Sequence, residues 1–170
     1  MARNMGLDFG LESQSTCVKR RFRWLFKIPD VSASGTNSLP PDKGARPSMS
    51  YKELQVEHLN ETVFYPGKPD WKPINLVLFD LKKNPHPVFK WLQRVYNPCD
   101  GSYKPSGNPQ FKKTATLELY DGCGNLLEEW RFENVWPQNV EFGELDMGNA
   151  EYVTCDITLR YDRAFLSDAC

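Results

Sequence analysis

Residues 114–135 constrain the fold more than any other part of the chain. Ala115, Leu117 and Leu119 alternate with Thr114, Thr116 and Glu118, the period-2 pattern of a strand buried on one face. Asp121-Gly122-Cys123-Gly124-Asn125 then reverses the chain into a second extended run, residues 126–135, so the segment reads as a β-hairpin. The same alternation recurs at residues 20–28, where Phe22, Trp24 and Phe26 interleave with Arg21, Arg23 and Lys27, and at residues 152–161, where Val153, Cys155, Ile157 and Leu159 share one face. Residues 51–59 and 71–79 offer two more strands, and the Pro-Gly and Pro-Asp signals between them read as the turn of a long hairpin. The period changes once. Val88, Trp91, Leu92, Val95 and Tyr96 form one apolar helical stripe, opened by Asn84, Pro85 and Pro87 and closed by Asn97-Pro98. The resulting order is β-loop-β-β-α-β-β-β: a mainly β chain, an antiparallel sandwich or barrel with one short packed helix.

With 170 residues, one domain is expected, large enough to fold without metal or disulfides. Residues 1–18 lack periodicity and read as an N-terminal arm, residues 19–166 as the β domain and residues 167–170 as a tail. Residues 30–48 are rich in Ser, Pro, Gly and Asn and read as a long loop; loops of that length commonly bind something. No apolar run approaches the roughly 20 residues of a membrane span, and the N-terminal residues lack a basic, then apolar, leader pattern. A soluble protein with no membrane anchor is expected.

Net charge is −1, but it is divided: residues 1–120 carry 18 Lys and Arg against 11 Asp and Glu, and residues 121–170 carry 3 against 11. Two readings stand: opposite-sign faces that meet in an assembly, or segments that intermix on one surface. The basic-aromatic run at 20–28 resembles a nucleic-acid surface in composition, yet strict alternation separates rings from charges and suits a half-buried strand better. No GxGxxG, phosphate loop, HExxH or Gly-x-Ser-x-Gly is present, and His58 and His86 stand alone, so neither catalysis nor a cofactor is expected. The five cysteines form no CxxC pair, which argues against zinc. Cys155 belongs to a strand's apolar face, whereas Cys99, Cys123 and Cys170 fall in a turn, a hairpin tip and the last position, where exposure is expected.

The residues ATLELYDGCGNLLEEWRFENVWPQNVEFGELDMGNAEYVTCDITLRYDRA, within 114–164, resemble the tube proteins of contractile bacteriophage tails. RRFRWLFKI, YPGKPDWKPINLVLFD and PVFKWLQRVYN extend the resemblance over about residues 20–165. It implies a non-enzymatic virion subunit that self-assembles in the host cytoplasm into hexameric rings stacked as a tail tube for DNA ejection. Sheath, tape-measure, baseplate and tail-terminator proteins are its implied partners, with DNA passing unbound. Inner tubes of type VI secretion systems and pyocin-like particles, and baseplate tube initiators, share the plan and stand as alternatives. Phosphates sliding past a wall favour acidic or neutral residues there, and Glu118, Glu128, Glu133 and Asp156 are the candidate lumen residues. Cys17, Cys99, Cys123 and Cys170 are candidates for disulfides between subunits formed after release from the reducing cytosol.

Overall fold

The computed structural model describes residues 19, 21–29, 31, 38–39, 41–80, 86–103, 111–121, 123–148 and 150–167. Their strands are β1 (Trp24–Lys27), β2 (Ser38–Leu39), β3 (Pro41–Gly44), β4 (Met49–His58), β5 (Glu61–Trp71), β6 (Ile74–Phe79), β7 (Tyr96–Asn97), β8 (Ser102–Tyr103), β9 (Lys113–Tyr120), β10 (Leu126–Glu141), β11 (Thr154–Arg160) and β12 (Arg163–Leu166), with helix α1 (Pro87–Val95) between β6 and β7. The antiparallel order β2-β1-β9-β10-β11-β6-β3, with β12 also against β10, folds into two layers.

β10 is the spine of the sandwich. Its first part pairs with β9 and β12, and its last part, from Trp136 to Glu141, pairs with β11. Register shifts at Phe132/Val135 and Pro137/Asn139, with Asn134 at φ 57, bend it from one layer into the other; bulges sharpen such bends, and asparagine accepts the left-handed region more readily than most residues. At the opposite edges, β2 pairs with β1 while β3 pairs with β6.

The inward faces supply Phe26, Ala115, Leu117 and Phe132 from one layer and Ile74, Leu76, Leu78, Cys155, Ile157 and Leu159 from the other, all buried. Phe132 packs on Phe26 at 5.9 Å and on Tyr161 at 5.1 Å between ring centroids. α1 buries Val88 and Trp91, and the Trp91 Nε1–H donates to the Phe111 carbonyl at 2.6 Å. That bond satisfies the indole's polar edge inside an apolar contact.

Three sequence expectations change. Of residues 60–71, expected as turn, all but Asn60 are strand: β5 continues through Pro66-Gly67-Lys68-Pro69 and the reversal falls at Leu59-Asn60. In a two-stranded ribbon, a proline whose nitrogen faces the outer edge forfeits no ladder bond. Gly67 is needed there because a Cβ would lie 2.6 Å from the Lys52 carbonyl oxygen. The expected loop 30–48 contains β2 and β3, edge strands that need no apolar alternation, and Gly44 lets β3 close on Trp24 and Leu76. Finally, the last strand is followed by β12. The expected arm, residues 1–18, and residues 168–170 lie outside the described residues.

Candidate assembly surface

The β4–β5 ribbon stands apart from both layers. Among the described residues it pairs only with itself, from Met49↔Trp71 at its base to His58↔Glu61 at its tip, and at about 3.3 Å per residue it extends roughly 35 Å. Every residue of β4 is exposed. Directly opposed residues share a face, so Leu54 with Tyr65 and Val56 with Val63 make one apolar face, while Glu53, Gln55, Glu57 and Thr62 are on the other with Phe64 and Pro66. Leu59 at the tip is 95% exposed. The base is tied down: Trp71 packs on Tyr161 at 5.9 Å, and the Lys72 N–H donates to the Ser48 carbonyl at 2.9 Å. A fixed base carrying two edges and an apolar face without partners among the described residues is a template for strand addition.

A second feature lies at the start of β10. Glu128 is buried beneath Lys19, which donates to Oε2, while the Trp130 indole N–H donates to Oε1 and Arg46 stands 3.6 Å away. Burial alone would raise its pKa, but the hydrogen bonds from Lys19 and Trp130 and the charges of Lys19 and Arg46 hold it below the ordinary carboxylate range. Above this pair opens a cavity of about 480 Å³ lined by Lys19, Arg21, Trp24, Ala45, Arg46 and Leu119, among others. Its volume falls in the range of binding pockets.

The four candidate lumen carboxylates are not brought together. Glu118 accepts from Lys27 at 2.7 Å and from the Tyr120 hydroxyl; Glu133 faces Arg163 at 2.8 Å; Asp156 is exposed on the outer face of β11. Glu128, expected to face outward, is buried because the bulge between Leu126 and Glu128 resets the alternation. Cys99 and Cys123 are exposed free thiols and Cys155 is buried, its pKa pushed up to about 11 by burial. Cys17 and Cys170 lie outside the described residues. The sequence puts Leu54 and Val56 on one face of a strand but carries no sign that this face stays uncovered.

No group of three or more His, Cys, Asp or Glu capable of holding a metal occurs among the described residues, and no helix among them is long and apolar enough to cross a membrane. The mostly antiparallel β fold is similar to that of solved chains from contractile injection systems. A chain of the extracellular contractile injection system PVC sheath-tube complex, in its extended state, superposes with TM-score 0.71 at 18% identity, covering 91% of this chain and 97% of that one. A chain of the anti-feeding prophage tube-terminating cap does so with TM-score 0.70 at 16% identity, covering 89% and 91%. The tail tube protein of Serratia phage KSP90 is 27% identical over 166 residues, 91% of this chain and 92% of that protein. Residues 45–164 match the model of the T4-like virus tail tube protein gp19 family, and the chain belongs to that family.

Proposed function

We propose that this chain assembles with copies of itself into hexameric rings, stacked as the inner tube of a contractile phage tail through which DNA passes without specific binding. The observation that carries this is the β4–β5 ribbon, whose edges and apolar Leu54/Val56/Val63/Tyr65 face have no partner among the described residues. Ribbons joined edge to edge around a ring would satisfy the unpaired backbone groups and close an inner barrel. Interfaces that repeat without closing then build a filament. The role is structural rather than catalytic, and the particle is assembled in the host cytoplasm with sheath, tape-measure, baseplate and tail-terminator proteins around it. The phage relative and the family match favour a DNA tube over an effector-carrying inner tube.

In such a tube Glu53 and Glu57 of the ribbon's polar face line the lumen, an acidic wall past which phosphates slide. None of the four carboxylates expected there from sequence lies on the ribbon: Glu118, Glu128 and Glu133 are paired with cations, and the exposed Asp156 belongs to β11. The exposure of Cys99 and Cys123 supports a role for them in cross-linking neighbours once the particle leaves a reducing compartment, a role proposed for Cys17 and Cys170 as well. Negative-stain electron microscopy of the purified protein tests the reading: rings or tubes are expected, and monomers at every concentration would reject it.

A further inference from the structure

Two surface features at opposite ends of β10 have complementary chemistry. Beside its start, near Trp130, is the cavity of Lys19, Arg21 and Arg46. Lys19 and Arg46 share one carboxylate, Glu128, and among the described residues no ion pair engages Arg21, so the three cations leave about two positive charges uncompensated. Trp24 and Leu119 give the cavity an apolar wall. From the other end of β10 emerges segment 142–148, Phe-Gly-Glu-Leu-Asp-Met-Gly. Leu145 is 86% exposed and Met147 fully so, with Asp146 exposed between them and Glu144 exposed just before.

The segment is held in shape rather than loose. Phe142 packs its ring on His86 at 5.5 Å and Phe89 at 6.3 Å. Gly143 takes φ 74, where a Cβ would meet the Thr154 carbonyl oxygen at 2.4 Å, and Asp146 Oδ1 accepts from the Gly148 N–H at 2.8 Å. An anchored segment that presents two large apolar side chains to solvent, flanked by carboxylates, is built for a basic, apolar-walled recess. Trp130 and Glu141 are eleven residues apart on β10, a strand path of up to about 35 Å, and no residue of 142–148 lines the cavity. The match is therefore between copies.

We propose that segment 142–148 of one copy docks into the Lys19/Arg21/Arg46 cavity of the next, with Leu145 and Met147 against Trp24 and Leu119 and with Glu144 and Asp146 meeting Arg21 and Arg46. The contact is head-to-tail, so it propagates. It turns the charge division of the chain into a directional joint. The proposal rests on the self-assembly reading.

Charge exchange tests it, because Arg21 and Glu144 are exposed and their reversal spares the core. Arg21→Glu and Glu144→Lys are each expected to raise the concentration needed for assembly at least tenfold, and the double variant to return it to within about threefold of wild type. Singles within twofold of wild type, or a double no better than the singles, would overturn the contact while wild-type tubes still form. A wild type that never assembles would instead reject the tube reading itself. A second arm places Arg21→Cys and Leu145→Cys in a chain whose Cys17, Cys99, Cys123 and Cys170 are Ser, and treats assembled protein with a short bismaleimide. A ladder of linked multimers supports the joint, whereas monomer alone from visible tubes refutes it. Thermal melts of dilute variants confirm that each chain is folded.

Discussion

Replacing both Leu54 and Tyr65 by Ser separates assembly from folding. The two are directly opposed on the apolar face of the ribbon, 57% and 54% exposed. Fully burying a large apolar side chain is worth about 1.5–3 kcal/mol, so covering the half still open contributes roughly 1–1.5 kcal/mol from each. The pair thus supplies about 2–3 kcal/mol to each contact between neighbours, and at 1.4 kcal/mol per tenfold its loss weakens that contact roughly 30- to 150-fold. Neither residue belongs to the core cluster. The cost to the isolated chain is the lost cross-strand pair, about 0.2–1 kcal/mol. Sedimentation velocity across a concentration series reads the first quantity, and thermal unfolding below the assembly threshold reads the second, since assembly itself raises the melting temperature. An unchanged assembly threshold, or a dilute chain that no longer melts cooperatively, would refute the assignment of this face to a partner.

Phe132→Ala is expected to cost about 3–5 kcal/mol in urea unfolding of the dilute chain, because it empties the contact between Phe26 and Tyr161; a loss under 1 kcal/mol would mean the core lies elsewhere. Glu128 has a folded pKa below its unfolded one, so its contribution is complete above about pH 4.3 and is lost as pH falls through the lower folded value. Glu128→Gln should therefore weaken the chain by about 1–2 kcal/mol at neutral pH, less than a fully buried pair because Lys19 and Arg46 are solvated. It should also flatten the acid limb of the stability curve, and an unchanged acid limb would contradict the ion pair. Mass spectrometry after brief maleimide treatment of native protein should find Cys99 and Cys123 labelled and Cys155 untouched, since only exposed thiolate reacts; modified Cys155 would place that strand at the surface.

Most of the sandwich was legible because burial on one face writes itself into alternation. Ala115 and Leu117 point inward as their spacing requires, and the stripe through Val88 and Trp91 is helix α1. In the first strand the phase was right but the depth was not: Phe26 is buried while Phe22 is 69% exposed, since the strand begins only at Trp24. The misreadings share a cause. Pro66-Gly67 and Pro69 signal turns when the neighbouring backbone must pair on both sides, and an isolated ribbon removes that demand. β2 and β3 carry almost no apolar residues, because an edge strand is held by backbone bonds to one neighbour.

The surface was less legible for a physical reason: charge partners are set by three-dimensional neighbours. Glu118 and Glu128 looked like surface carboxylates, yet Lys27 and Lys19, 91 and 109 residues away in sequence, neutralise them. The apolar face of the ribbon was visible as alternation but not as an uncovered surface, since period alone cannot say whether a strand's apolar face meets its own core or another copy.

The central claim is that residues 49–71 complete their pairing only between copies. A cryo-electron microscopy map of the assembled protein tests it most directly. The expected result is a ring in which each β4–β5 ribbon pairs edge to edge with its neighbours' ribbons to form one continuous inner wall. Rings whose ribbons project freely into solvent, with the inner wall built from β6 and β11 instead, would contradict it.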